Sequence, residues 1–318
     1  MKIMKLAIAA GLTALVLTGL LYVTDPRQLQ HTYLCWKQAV SILSCYGTDT
    51  VDFVAEIDGI KYEGNTGNYT DNHIFFNGAF DKHILFLMRD LLQSVYKGQG
   101  NFIDIGANTG QQSLVLSRYA REVHAFEPWE PVLKRFRRMV DINGVKNIAI
   151  HAYGLGNENS KKPFFKPGDK NLGTGSFVEG FKPQNSYEGE LEIRQGDDAF
   201  GTEKITAVSL IKMDIEGYEK LGLQGLRRTL AAHRPIIVFE LTVDPKSQVS
   251  IKSKEELTAL FPERYEFLVF GEKSDRATGA YVLEPIEGNV RFDQFEQYDL
   301  VAYPAERKNS VSQQGPIR

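Results

Sequence analysis

The chain has 318 residues, 42% of them hydrophobic, and a formal net charge of −3. That length allows one large or two small domains with a sizeable core, and the charge gives no electrostatic reason to expect nucleic acid. Two cysteines cannot build a Cys-rich zinc site, and the six histidines (His31, His73, His83, His124, His151 and His233) lack short metal-ligand spacing, so no metal is expected.

Leu6–Val23 contains no charged residue and follows Lys2 and Lys5; its 18 residues are enough to cross a bilayer, which takes about 17–25. No small-x-small cleavage pattern is evident in Gly19–Thr24. An uncleaved membrane anchor over residues 1–24 is therefore expected, ahead of a cleaved signal peptide or a buried soluble helix. Residues 25–50 read as a linker. They carry Cys35 and Cys45, which would bridge in an oxidising compartment and otherwise act as small apolar side chains.

Val51–Gly64 alternates apolar and polar residues around Asp58-Gly59, the pattern of a hairpin. Asp81 has the side chain of a helix cap, ahead of Ile84, Leu85, Met88, Leu91, Leu92 and Val95 at helical spacing. Residues 51–97 are expected to cover one edge of a main sheet, as the opening part of a domain that runs to residue 305.

The core, residues 98–305, starts with its most informative stretch. Phe102-Ile103-Asp104-Ile105 is a short apolar run with an acid near its end, and Gly106-Ala107-Asn108-Thr109-Gly110 is a tight turn before a helix over Gln111–Tyr119. A second strand, Val123–Phe126, leads to Glu127, which lies 21 residues beyond Gly106, close to where an acid meets ribose hydroxyls in nucleotide-binding folds. The turn lacks the Gly-x-Gly-x-x-Gly spacing that brings a pyrophosphate to a helix N-terminus. The pattern points to a cofactor with a ribose and an adenine but no pyrophosphate.

Pro131 suits the first turn of the next helix and Asn143-Gly144 its end. Lys134, Arg135, Arg137 and Arg138 interleave with Val132, Leu133, Phe136 and Met139, which reads as the solvated face of an amphipathic helix. Ile148–Ala152 is a third strand. Residues 153–205 are too long for a plain crossover; short strands are expected at Lys162–Phe165, Ser176–Val178 and Leu191–Arg194, in an insertion that shapes the substrate pocket. Val208–Met213 is a fourth strand, followed by a helix over Tyr218–Ala232 and a fifth strand at Pro235–Leu241. Ser253 and Glu256 have capping-box spacing, and Tyr265–Phe270 and Tyr298–Tyr303 complete the sheet. Glu306–Arg318 is polar and is expected to fray. Alternating strands and helices argue for an α/β fold with a largely parallel sheet.

Phe102–Gly110, Phe126-Glu127-Pro128, Ile211-Lys212-Met213-Asp214-Ile215-Glu216-Gly217-Tyr218-Glu219 and Arg234–Glu240 occur in this order. Together they resemble the FkbM-type S-adenosylmethionine-dependent methyltransferases over roughly residues 50–270. Asp-x-Gly-x-x-x-Gly alone would suggest only a class I methyltransferase; the Lys-Met-Asp-Ile-Glu-Gly block narrows the family. The resemblance implies a class I, Rossmann-like sheet with helices on both faces and an antiparallel last strand. It implies S-adenosyl-L-methionine as cofactor and O-methylation of a hydroxyl on a sugar, glycan or secondary metabolite.

In open α/β sheets ligands bind beyond the carboxyl ends of the strands, and here those ends carry Asp104, Glu127, Asp214 with Glu216, and Glu240. The resemblance assigns Gly106, Ala107, Asn108 and Gly110 to the methionine part of the cofactor and Glu127 to its ribose; Asp104 is counted with them. Asp214 is the candidate base and Glu216 the second, on the expectation that a continuing strand puts both on one face. Asp197-Asp198 is a weaker candidate, against exposed turn acids. His124 and His151 fall in strands and are expected to be structural. A nicotinamide-dependent oxidoreductase and an inactive, membrane-tethered binding protein are the alternatives. Lys2 and Lys5 against Arg27 and Lys37 slightly favour exporting the domain, but supply of a cytosolic cofactor argues for a catalytic domain facing the cytoplasm.

Overall fold

The structure, a computed structural model, describes residues 50–312 except residue 169. The expected anchor, the linker and both cysteines lie outside the described residues. Among the described residues no helix is long and apolar enough to cross a membrane.

Strands β1 (Asp52–Ile57) and β2 (Ile60–Asn65) form the expected hairpin. Asp58 and Gly59 both take positive φ, 49° and 77°, the geometry that matches the twist of a two-residue hairpin. Helices α1 (Tyr69–Asn77) and α2 (Lys82–Asp90) follow, the latter running into a π-helical turn at Leu91–Val95. Then come β3 (Asn101–Ile105), α3 (Gln111–Leu116), β4 (Val123–Phe126), α4 (Glu130–Asn143) and β5 (Ile148–His151). The insertion holds β6 (Gly154–Gly156), β7 (Ser160–Lys166), β8 (Ser186–Gln195) and α5 (Gly196–Thr202). The core resumes with β9 (Val208–Met213), α6 (Glu219–Gly225), α7 (Arg227–His233), β10 (Ile236–Val243), α8 (Lys254–Ala259), β11 (Tyr265–Phe270), β12 (Leu283–Pro285) and β13 (Glu296–Pro304).

Eight of these strands make one sheet in the order β12-β11-β13-β10-β9-β3-β4-β5. The pairs β10/β9, β9/β3, β3/β4 and β4/β5 are parallel, while β13 runs antiparallel between β10 and β11. The order of strands reverses between β3 and β9, so the crevice opens beyond their carboxyl ends. Both faces are covered. One apolar cluster packs α2, α3 and α4 residues such as Leu87, Leu114 and Phe136 against Phe102 and Val238; the other packs Leu223, Leu226 and Leu230 against Ile211 and Phe239.

The structure corrects several expectations. The hairpin does not cover a sheet edge; it docks on α4 and α3. Asn143 accepts from the Lys61 amide and donates to its carbonyl, both at 2.8 Å, and Arg138 grips Glu63 with two bonds of 2.6 and 2.9 Å. The basic run on α4 is thus partly a docking face, because Arg135 and Arg138 of this otherwise amphipathic helix both reach Glu63 of β2. Asp81 makes no capping hydrogen bond and holds φ at 44°; its side chain turns away from the helix. The helix expected over Tyr218–Ala232 breaks at Leu226. A Cβ on Gly225 would sit 1.8 Å from the Gly156 carbonyl oxygen, so two backbones touch there, and the unbroken apolar spacing conceals the step. Of Glu306–Arg318, expected to fray, the part up to residue 312 instead continues a 3-10 turn into a short helix α9 (Lys308–Ser312) that buries Val311; residues 313–318 lie outside the described residues.

Candidate active site

Beyond the ends of β3, β4 and β9 lies a cavity walled by Asp104, Gly106, Ala107, Asn108, Glu127, Asp214 and Glu216, all of them expected from the sequence. Its other walls come from α1, the insertion and the last strands, through Tyr69, Asp81, Gly173, Phe177, Arg276 and Asp299. Gly110 is not in this wall. It stands at φ 80° where a Cβ would meet the Phe136 ring at 2.1 Å, so it seats the turn on α4.

The turn is held from beneath. The amides of Gly106 and Ala107 donate to the Phe126 carbonyl at 2.9 and 3.1 Å. Gly106 has φ 82°, and a Cβ there would lie 1.8 Å from the Asp214 carbonyl oxygen, so the β3 and β9 loops approach as closely as backbone allows. Asn108 also has positive φ, 52°, and its Oδ1 is buried without a hydrogen-bond partner. Glu127 is buried; its two oxygens accept the amides of Asn108 and Trp129 at 3.0 and 2.9 Å. Burial pushes its pKa up to about 7 in spite of those two bonds. A carboxylate offers roughly four acceptor positions, so capacity remains for further donors.

Asp104 is enclosed, takes the Ser113 hydroxyl at 2.6 Å and lies 3.8 Å from Lys212 Nζ. It does not accept from the glycine turn. Lys212 is the residue the sequence reading missed. Its ammonium donates to the Gly106 carbonyl at 3.2 Å and sits 3.4 Å from Asp214 and between it and Asp104. Burial works against the ammonium, yet Asp214 and Asp104 more than offset it and hold its pKa above the ordinary lysine value. A lysine inside the apolar run Val208–Met213, flanked in space by strand-end acids, is the signal that could have found it.

Asp214 and Glu216 both reach the cavity, but not as neighbours along one strand face. β9 ends at Met213, and Glu216 has φ 54° in a loop. Two bonds of 3.1 Å from the amides of Ile215 and Gly217 to buried Glu219 hold that loop, and Ser176 of the insertion donates to the Glu216 carbonyl at 2.7 Å. Burial, then the charge of Asp214, raises Glu216 well above the usual carboxylate range, and the same two causes act on Glu240. Glu240 receives Gln297 at 2.6 Å. Asp81, pushed up to about 6 by burial and then Asp299, faces Arg276, which reaches both acids at 3.4 and 3.2 Å. Seven acidic side chains and three cations line the cavity in all; burial disfavours the ionised form of several of the acids, Glu216 and Glu240 among them, so the arrangement offers hydrogen-bonding oxygens to hydroxyl groups more than net negative charge.

Asp197 and Asp198 are elsewhere. Asp197 is buried and caps α7, accepting the amides of Arg228 and Thr229 at 2.8 Å each; Asp198 pairs with Arg228 at 2.7 Å. Neither belongs to the cavity. His124 and His151 bond to each other at 3.2 Å across β4 and β5, a structural pairing as expected.

The family model of the methyltransferase FkbM domain matches residues 104–276, more than half of the chain. Methyltransferase 1 of Beauveria bassiana is 27% identical over 142 residues, covering 39% of this chain and 57% of that protein. The hexuronic acid methyltransferase AglP of Haloferax volcanii is 25% identical over 177 residues, 54% of this chain and 70% of that one. The alignment with the fungal relative thus spans little more than half of its length. Among solved structures, methyltransferase FkbM from Methylobacillus flagellatus aligns over 68% of this chain and 48% of its own, with 19% identity and a TM-score of 0.41. The chain belongs to the FkbM methyltransferase domain family.

Proposed function

We propose that this chain is an S-adenosyl-L-methionine-dependent methyltransferase that methylates a hydroxyl on a sugar, glycan or secondary metabolite. The observation that carries the reading is the junction of the Gly106–Gly110 turn with Glu127, through the 3.0 Å bond from Asn108, at the carboxyl edge of a parallel sheet in a chain of this family. The residues present fit such a cofactor. The unpartnered Oδ1 of Asn108 and the spare acceptor positions of Glu127 leave polar groups for an amino acid tail and a ribose.

Gly106, Ala107 and Asn108 would hold the methionine part and Glu127 the ribose hydroxyls, in bonds that a charged acceptor makes roughly twice as strong as neutral ones. When bound, that cofactor supplies a methyl group on a positively charged sulfur, an electrophile that needs alignment more than activation. Asp214, partly exposed at the cavity and 3.4 Å from Lys212, is placed to take the proton of the acceptor hydroxyl, with Glu216 as the second candidate. Lys212 fixes Asp214 to the turn. The many acidic side chains of the cavity suit a hydroxyl-rich acceptor. The archaeal relative is named for a hexuronic acid, which puts acidic sugars among the acceptors to test. The apolar Leu6–Val23 stretch supports attachment of the enzyme to a membrane, and supply of a cytosolic cofactor favours a cavity on the cytoplasmic side.

Thermal unfolding of the chain from residue 50 with S-adenosylhomocysteine, NAD or NADP tests the cofactor, because a ligand that binds only the folded state raises its stability. Stabilisation by the homocysteine nucleoside alone, followed by transfer of labelled methyl to an acceptor panel, is the expected result. Stabilisation by a nicotinamide nucleotide would overturn the reading.

A further inference from the structure

The family match begins at Asp104, yet the segment before it reaches into the glycine turn. Tyr62 of β2 is wholly buried, and its hydroxyl lies 2.8 Å from Asp71 Oδ1 and 2.7 Å from Thr109 Oγ1. Asp71 is a carboxylate and can only accept, so Tyr62 donates to it, which leaves the Tyr62 oxygen to accept the Thr109 proton. The hydrogen bonds therefore run in one direction, from Thr109 through Tyr62 to Asp71. Asp71, also wholly buried, is held by the Asn65 amide at 3.0 Å and by Arg135 at 2.7 Å. Burial, then the charge of Asp71, pushes the Tyr62 phenol above its ordinary value, so it stays a donor.

Thr109 stands between Asn108 and Gly110, both at positive φ, in a turn whose other end, Gly106, is at positive φ too. Such a backbone persists only where its surroundings over-determine it. Supports come from the leading segment: Tyr62 on Thr109, and Phe80, whose amide donates to Gln111 at 2.7 Å and whose carbonyl receives the Gln111 amide group at 3.2 Å. A buried tyrosine hydroxyl needs one partner, and Asp71 alone would meet that need. The second bond, to the turn, is the one that packing does not require.

We propose that Tyr62 and Asp71 are positioning residues for the cofactor turn, which makes the amino-terminal hairpin and α1 a working part of the cofactor site. This rests on the reading of that turn as the cofactor cradle. The test uses the full chain and the variants Tyr62→Phe, Thr109→Val, their double and Thr109→Ser. Two readouts are taken: the S-adenosylhomocysteine Kd by calorimetry, and amide exchange of the turn, residues 106–113, in unliganded protein.

Tyr62→Phe and Thr109→Val are each expected to weaken binding about tenfold, the effect of one hydrogen bond. The double is expected to be no worse than Tyr62→Phe, which already removes the Thr109 bond along with the one to Asp71, and Thr109→Ser to stay within about twofold of the parent. Turn exchange should quicken about tenfold in the first three while the Ile236–Val243 strand keeps its rate. Unchanged Kd in Tyr62→Phe and Thr109→Val, losses that multiply in the double, or exchange that rises equally in the strand would overturn the proposal. If the parent itself fails to bind the nucleoside, the proposed function is lost and turn exchange in the unliganded variants alone decides this inference.

Discussion

Glu127 Oε2 accepts the amide hydrogen of Asn108 at 3.0 Å, tying the acid that ends β4 to the turn that ends β3. The two parts of the cofactor site are therefore not independent: a donor that ionises or displaces Glu127 is felt directly in the turn.

Glu127 gives a pH test. Burial raises its pKa to about 7, and ribose hydroxyls favour its ionised form, so the bound state has shed a proton that the free state keeps below that pH. S-adenosylhomocysteine affinity is expected to be about tenfold weaker at pH 6 than at pH 8. Glu127→Gln should bind weakly at both and lose the dependence. The same shift lowers stability as pH climbs from the unfolded value near 4.5 towards 7, because the folded state holds its proton longer. Calorimetric titration at the two pH values checks the prediction, and a flat profile in the parent protein contradicts it.

Gly106→Ala places a methyl 1.8 Å from the Asp214 carbonyl at φ 82°, a collision of backbone with backbone that no rotamer relieves. A loss of at least about 3 kcal/mol is expected. Gly144→Ala, with similar φ of 62° but nothing within 4 Å, should cost only about 1–2 kcal/mol. Urea denaturation of the two variants side by side separates crowding from backbone strain; equal losses would refute the close approach.

Lys212→Met keeps the stem and removes the charge between Asp104 and Asp214. Asp104, enclosed and left with Ser113, becomes an unpaired buried carboxylate, at a cost of about 3 kcal/mol at pH 8. Burial already raises the Asp104 pKa, so the deficit should shrink as pH falls and that group takes up a proton. Adding Asp104→Asn should recover part of the loss at pH 8. Chemical unfolding at pH 5 and pH 8 reads both effects.

Asp214→Asn is expected to retain S-adenosylhomocysteine affinity within about threefold, since the side chain is not among those assigned to the nucleoside, while turnover falls by about 10²–10⁴ with the loss of a general base. Binding is measured by calorimetry and turnover by labelled methyl transfer. Near-normal turnover would move the role to Glu216.

Much of this was legible in the sequence. β4, β9 and β11 have the bounds their largely apolar runs indicate, and β3 begins one residue earlier, because such runs mark strands even where Ser209, Lys212 or Glu266 interrupts them. The site was legible where chemistry and chain order coincide, as for the Gly106 turn and Glu127. It was not legible where distant segments converge. Arg276 and Asp299 meet Asp81 from the far end of the chain, and no local spacing reveals that. Asp81 has a capping residue's chemistry but faces the cavity, and Asp197 has a turn acid's chemistry but caps a helix 30 residues on. Side-chain type alone does not distinguish these fates; the direction set by the backbone does.

At Gly225 and Gly156 two main chains meet with no side chain between them, and Gly196 closes on the same point, its missing Cβ 3.1 Å from the Gly225 carbonyl. The root of the insertion is thereby riveted to the helical layer behind the sheet. Two cavity walls that the insertion supplies, Gly173 and Phe177, lie farther out, between Lys166 and Ser186, so exchange of that outer stretch would reshape the cavity without disturbing this junction.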